Sequence, residues 1–286
     1  MRPNLKEKAK NLKINYSNEM KRVENLFAIS KLVRYYLRKD LTGLFPQYTT
    51  IEDFLNNYMF VNYPYAGTFI NIQDMRISLG VSENDIANND INVLLDYFEF
   101  MFNIMCYFID NYRKFEAEVD SDYIRKICGN IKTVLAQLNY KLEEKDGYFF
   151  IVEKDAAATA AADIYEDVAD RVIEYRRYGL KGNIERKCEI LNTLAKKFEA
   201  IRPELKANNF SEIEDKTGRM LNNLDIRHNN TSGKNEKDIV KQMSDEELEQ
   251  WYDKTYDLLL MCFMFHNYLS FKDEIKDLNK NLKNGV

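Results

Sequence analysis

At 286 residues the chain is long enough for one large domain or two ordinary ones. It is 45% hydrophobic and 30% charged, as soluble globular proteins are, and only 10 Gly and 4 Pro favour long helices over many short strands. The net charge of -5 excludes a global basic footprint, so any nucleic-acid contact must be local.

The four cysteines, Cys106, Cys128, Cys188 and Cys262, are widely spaced and form no C-x-x-C pair. Each lies among apolar residues, so buried free thiols in a reducing, cytoplasmic setting are expected. Two histidines, His228 and His266, are too few for a multi-histidine metal site, so no metal or cofactor is expected, with a carboxylate-only Mg2+ site left as the alternative among the many acidic residues. The charged N-terminus lacks the apolar core of a signal peptide. The most apolar windows, "INVLLDYFEFMFNIMCYFID" and "LLLMCFMF", read as buried core helices rather than membrane spans, because the first carries Asp96 and Glu99 and the second is too short.

In chain order, residues 17–40 place Met20, Val23, Leu26, Phe27, Ile29 and Val33 near helical spacing. A loop is expected at "LTGLFPQY". Thr50 with Asp53 forms a capping box ahead of "IEDFLNNYMF". The Tyr-rich "VNYPYAGTFINIQDMRISLG" is irregular; Tyr63 and Tyr65 around Pro64 suit core packing better than base stacking, since no basic cluster accompanies them. Residues 83–117 predict one long helix. Ile131, Val134, Leu135 and Leu138 predict another, followed by two short strands, "NYKLEE" and "YFFIVEK", joined at "KDG". Residues 156–178 predict one helix stopping at Gly179 or Gly182. Further helices follow over "NIERKCEILNTLAKKFEAIRPEL" and "SEIEDKTGRMLNNLDI". A capping box at Ser244 and Glu247 opens a long amphipathic helix ending near Phe271, with a charged, fraying tail. The expected fold class is mainly α: a helical N-terminal region over 1–120, a helix and one small β-hairpin over 121–155, and an up-down helical bundle over 156–286.

Between the last two helical stretches lies "IRHNNTSGKNEK". As a turn it needs no further explanation, since Asn, Thr, Ser and Gly are good turn formers. The pairing of Arg227 with His228 at a helix end is more specific. An arginine there offers a planar fork to a phosphate, and a histidine can move a proton near neutral pH.

On these residues, the stretch from about 160 to 271 resembles the HEPN family, helical bundles with an arginine followed a few residues later by a histidine. The resemblance implies a metal-independent endoribonuclease of toxin–antitoxin, abortive-infection (anti-phage) or CRISPR systems. It further implies a homodimer through the C-terminal bundle and a site shared between two copies. Carried onto this chain, Arg227 and His228 take the catalytic positions, with Asn229, Asn230 and Lys234 available to RNA. The motif histidine is expected at 232 to 234, where Ser232, Gly233 and Lys234 stand. Ser232 in place of the histidine implies an inactive form, unless His228 acts instead. The alternatives are a non-catalytic module binding RNA or a protein, and a purely structural helical protein. His266, in "CFMFHNY", reads as a buried structural histidine. The N-terminal half carries no P-loop, G-x-G-x-x-G or nucleophile elbow, and is expected to sense or to regulate, with a possible protein partner and no membrane.

Overall fold

The computed structural model describes residues 14–29, 33–38, 44–227 and 238–283. The protein is mainly helical and divides into two compact units, Met1–Ile151 and Val152–Val286.

In the first unit, α1 (Tyr16–Phe27) starts where the Asn15 side chain accepts from the Asn18 N–H at 2.8 Å. It buries Met20, Val23 and Phe27 on one face. The helix expected over 17–40 ends there. Strand β1 (Val33–Arg38) follows and is the middle of a three-stranded antiparallel sheet between β2 (Leu44–Thr49) and β3 (Ala117–Val119). This sheet corrects two expectations, a helix through 40 and a loop at "LTGLFPQY", and it adds to the single hairpin expected. Its stretch "VRYYLR" is β-branched and aromatic, and such residues favour a pleated, half-buried surface once partners exist. The partner β3 lies far along the chain: Arg34 stands opposite Glu118, Nη1 to Oε2 3.4 Å.

Thr50 caps α2 (Ile51–Phe54) by accepting from the Asp53 N–H at 2.9 Å, and a π-helical turn continues it over Leu55–Met59. The short helices α3 (Ile72–Ser78) and α4 (Glu83–Ile86) lead to α5 (Ile91–Asn111). The long helix expected over 83–117 is therefore shorter at both ends: Asn89 adopts φ 53° before it, and a 3-10 turn and β3 follow it. Helix α5 is long and apolar enough to cross a membrane, but most of that window is buried inside the protein. Its polar residues have definite partners. Asn103 donates to the Phe149 carbonyl at 2.6 Å and accepts from the Phe149 N–H at 2.8 Å, and Glu99 accepts from the Ile151 N–H at 2.7 Å. Two side chains of the core helix thus satisfy the backbone edge of a strand.

That strand belongs to the hairpin of β4 (Tyr140–Lys145) and β5 (Tyr148–Glu153), which follows α6 (Ser121–Gln137). Its two turn residues, Asp146 and Gly147, have φ 54° and 78°, as a two-residue hairpin turn requires. Tyr63 is buried and packs edge-on to Tyr65 and Tyr107, so it is a core residue.

The most confined charge of this unit is Arg76, whose side chain is 2% exposed. Its Nη2 lies 2.7 Å from Glu24 Oε1 and its Nη1 3.3 Å from Glu24 Oε2, a bidentate tie between α3 and α1. The guanidinium also sits 5.8 Å from the centre of the Tyr97 ring.

In the second unit, α7 (Ala156–Ile164) and α8 (Ala169–Tyr175) replace the single helix expected over 156–178. The break falls at Tyr165, whose hydroxyl lies 2.7 Å from His266 Nδ1 and donates to the Phe263 carbonyl at 3.2 Å. A tertiary anchor overrides a strong local propensity here. Gly182 turns the chain at φ 80° into α9 (Ile184–Ala207), which is followed by α10 (Ser211–Asn223), the short α11 (Asp238–Gln242) and α12 (Asp245–Lys283). The Ser244–Glu247 capping box is present: the Glu247 N–H donates to Ser244 Oγ at 3.2 Å, and the Ser244 N–H donates to Glu247 Oε2 at 3.1 Å. The expected end near Phe271 is corrected, since α12 continues helical to Lys283. Of the four free thiols only Cys262 is fully buried; the other three are half-buried.

The core of this unit joins α7, α8, α9, α10 and α12 through residues such as Val172, Leu194, Phe198, Leu221, Leu259 and Phe263. Lys187 is buried within it. Its Nζ lies 2.7 Å from both Glu249 Oε1 and Asp253 Oδ1 and 5.1 Å from the centre of the Tyr175 ring. Tyr175 donates to Asp253 Oδ1 at 2.9 Å and stacks on Tyr256, ring centres 4.2 Å apart. The Gly182 N–H donates to Glu249 Oε1 at 2.8 Å.

Two predictions follow from these buried ions. Arg76→Ala leaves Glu24 without its partner, and breaking a buried pair costs about 3–5 kcal/mol, so urea unfolding should show a large loss; a loss under about 1 kcal/mol refutes the assignment of Arg76 as the tie between α1 and α3. The second concerns acid. Burial raises the Glu249 pKa, but the hydrogen bonds from Lys187 and the Gly182 N–H outweigh it, and the carboxyl is held below its ordinary value. At Glu174 burial is likewise outweighed, by Arg186 and Arg171. Both pKa values are depressed on folding, so both groups add stability above the ordinary glutamate range and lose it as pH falls through their folded values. Melts of the wild type at descending pH should show stability falling below about pH 4.5, and Glu249→Gln should flatten the fall; an unchanged slope in that variant counts against it.

Candidate functional site

Helix α10 ends at Asn223, and the chain turns through Asp225, a non-glycine residue at φ 59°. The Ile226 and Arg227 N–H groups both return to the Leu221 carbonyl, at 3.1 and 3.3 Å. Asn192 of α9 clasps the turn, donating from Nδ2 to the Ile226 carbonyl at 2.5 Å and lying 3.4 Å from the Arg227 carbonyl. The backbone of Arg227 is therefore held from two helices.

Its side chain is held as well. The Arg227 guanidinium is 16% exposed and forms an ion pair with Glu199 of α9, while Nη1 lies 3.3 Å from Asn222 Oδ1. Arg227 Nε finds no acceptor among the described residues, and Nη2 meets Glu199 as an ion pair. Burial pulls the Arg227 pKa below the ordinary guanidinium value, yet the group stays protonated at any working pH. Glu199 also lies 3.5 Å from Arg202 Nη1, and Arg202 Nε pairs with Glu214, which is buried on α10. The four charges alternate in sign from Arg227 through Glu199 and Arg202 to Glu214. Gly218 makes room for the third: a Cβ there would lie 3.0 Å from Arg202 Nη2. Pro203 also leaves the Glu199 carbonyl without its helical N–H partner.

Beside the turn lies a cleft of about 680 Å³ lined by Ile184, Cys188, Asn192, Ile226 and Tyr252, with Glu185 and Glu189 at its rim. Burial pushes up the Cys188 thiol and the Tyr252 hydroxyl, and the Asp225 carboxylate adds to both. Cys188 is accordingly a protonated thiol and no ready nucleophile. The charge around this cleft is acidic, which disfavours a phosphate.

Of the residues singled out in the sequence, Arg227 has the surroundings just described. His228, Asn229, Asn230, Ser232 and Lys234 lie outside the described residues. His266 is half-buried rather than buried. Its Nδ1 faces Tyr165, and its Nε2 lies 3.3 Å from Glu204 Oε2. Burial, with Glu204 and Asp167 nearby, pushes the Tyr165 hydroxyl up to about 12. Sequence reasoning missed Glu199, Asn192 and Arg202. They lie on one helix at spacings of seven and three, but nothing local says that Arg227 returns to them. Among the described residues no group of three or more His, Cys, Asp or Glu side chains converges to hold a metal.

No protein-family model, no curated protein and no solved structure matches this chain.

Glu199→Gln removes the charge facing Arg227. Glu199 is 45% exposed, so the cost should be modest, about 0.5–1 kcal/mol at low salt. The difference should shrink by about 1 M salt, where exposed charges are screened. A variant as stable as the wild type at low salt shows that the pair contributes nothing.

Proposed function

We propose that the second unit is an HEPN-like helical scaffold that works by binding a protein partner and does not cut RNA. One observation carries this reading: Arg227, the residue that would face a scissile phosphate, is committed to Glu199 of its own protomer. An arginine spent on a carboxylate has little charge to lend to a phosphate. Ser232 at the expected histidine position supports the same conclusion, because a serine hydroxyl is no acid–base catalyst at neutral pH. The acidic cleft and the net charge of -5 favour a protein partner over RNA. The first unit, in this reading, senses or regulates.

The test is cleavage and binding of structured RNA in EDTA. The wild type should leave RNA intact and bind it weakly or not at all. Cleavage by the wild type that is lost in Arg227→Ala or His228→Ala overturns the proposal and restores a ribonuclease. Ser232→His probes the resemblance separately. General acid–base help is worth about 10²–10⁴-fold, so a gain of metal-independent cleavage supports an HEPN-type site that has lost its histidine. No gain argues against the HEPN resemblance itself.

A further inference from the structure

Helix α12 is 39 residues long, about three times the mean helix. Its fully buried residues end at Phe263. The last ties to the unit are Phe265 and Tyr268, both on Phe210 with ring centres 4.6 and 6.4 Å away, and the contact of Lys272 Nζ with Asn208. Beyond Lys272 the side chains of Asp273 to Lys280 and of Leu282 are exposed. About three helical turns thus project from the bundle.

A helix that projects should be polar all round. This one is not. Phe271, Ile275, Leu278 and Leu282 follow one another at intervals of four, three and four, and Leu278 and Leu282 are 60% and 66% exposed. The same spacing runs back through Tyr268 and Met264 to Met261, which is also exposed. The result is an unbroken seam over three heptads, with Met261, Tyr268, Ile275 and Leu282 in one core position and Met264, Phe271 and Leu278 in the other. The flanks do not account for the helix: Asp273–Lys276 and Asp277–Lys280 are exposed pairs, which water and salt screen. A stretch this short, with two Asp and two Asn, is marginal as an isolated helix.

We propose that the projecting seam of α12 pairs in parallel with the same seam of a second copy of this chain, as a short two-stranded coiled coil. Four observations select this occupant. The three-four spacing keeps a seam facing another helix as the two supercoil. Ile275 and Leu278 place a β-branched residue at the first core position and a leucine at the second, the combination that favours parallel pairs. The flanking residues Lys272, Glu274 and Asn279 differ in charge and place no run of like charge against a copy. Finally, the seam continues onto the bundle, where Met264 is half-buried and Tyr268 packs on Phe210, so a parallel pair buries chiefly its projecting part, Phe271 to Leu282. Seven core positions per copy, with their flanks, reach on the order of 1,000 Å², the lower bound for a specific interface. The pairing is independent of whether the Arg227 surroundings bind or cut.

The experiment measures mass in solution by sedimentation on the full chain and on Ile275→Asp/Leu278→Asp. Both substituted positions are exposed, so the bundle should stay folded and keep most of the helical circular dichroism, with any loss confined to the projecting turns. The wild type should be a dimer at tens of micromolar, and the double variant should dissociate at least 100-fold more readily. Leu278→Cys, oxidised, should give a disulfide-linked dimer that the wild type does not, because a parallel pair brings the two copies of this position together. A wild-type monomer at 100 μM overturns the proposal, as does a dimer that survives the double substitution. A dimer whose Leu278→Cys form does not cross-link overturns the parallel arrangement.

Discussion

The second unit is organised around one buried ammonium. Lys187 cannot sit in a core unless its charge is met, and the penalty for failing is several kcal/mol. Glu249 and Asp253 meet it from successive turns of α12, Tyr175 covers it from α8, and the Gly182 N–H shares the Glu249 carboxylate. The contacts come from three segments, α8, the turn at Gly182 and α12, so the requirement of one charge sets the approach of α8 and α12 to α9. The stacked rings of Tyr175 and Tyr256 then continue the same contact as apolar packing.

With α9 so placed, its other face sets the environment of Arg227. Asn192 reaches the turn backbone and Glu199 reaches the guanidinium, both from that helix. The alternation of charge continues onward to Arg202 and the buried Glu214, so the row runs from the exposed side of α9 into the core at α10. An arginine in this position closes the end of α10 and joins it to α9.

The two units use buried ions in the same way at different places. In the first, Arg76 joins α3 to α1 through Glu24, while Glu99 and Asn103 of the apolar α5 satisfy the edge of β5. In both, the polar groups inside the core are fasteners between segments distant in sequence. The projecting part of α12 is the opposite case, an apolar seam outside any core.

The sequence by itself determined what depends on neighbours within a turn or two. The mainly helical class, the caps at Thr50 and Ser244, the Asp146–Gly147 hairpin and the course of α9 and α10 all rest on local hydrogen bonds, turn conformations and the 3.6-residue period. What only the tertiary structure decided depends on residues far apart in the chain. Strand β1 is held along its length by β2 and over Val33–Tyr35 by β3, some 80 residues on, although "VRYYLR" continued a helical pattern. The helix expected over 156–178 breaks because Tyr165 is drawn to His266, about 100 residues away. Arg227 was legible as a charged residue at a helix end, but its commitment to Glu199 was not. Spacing along a chain reports which residues share a face, whereas the partner of a charge is chosen by the packing that excludes water from it.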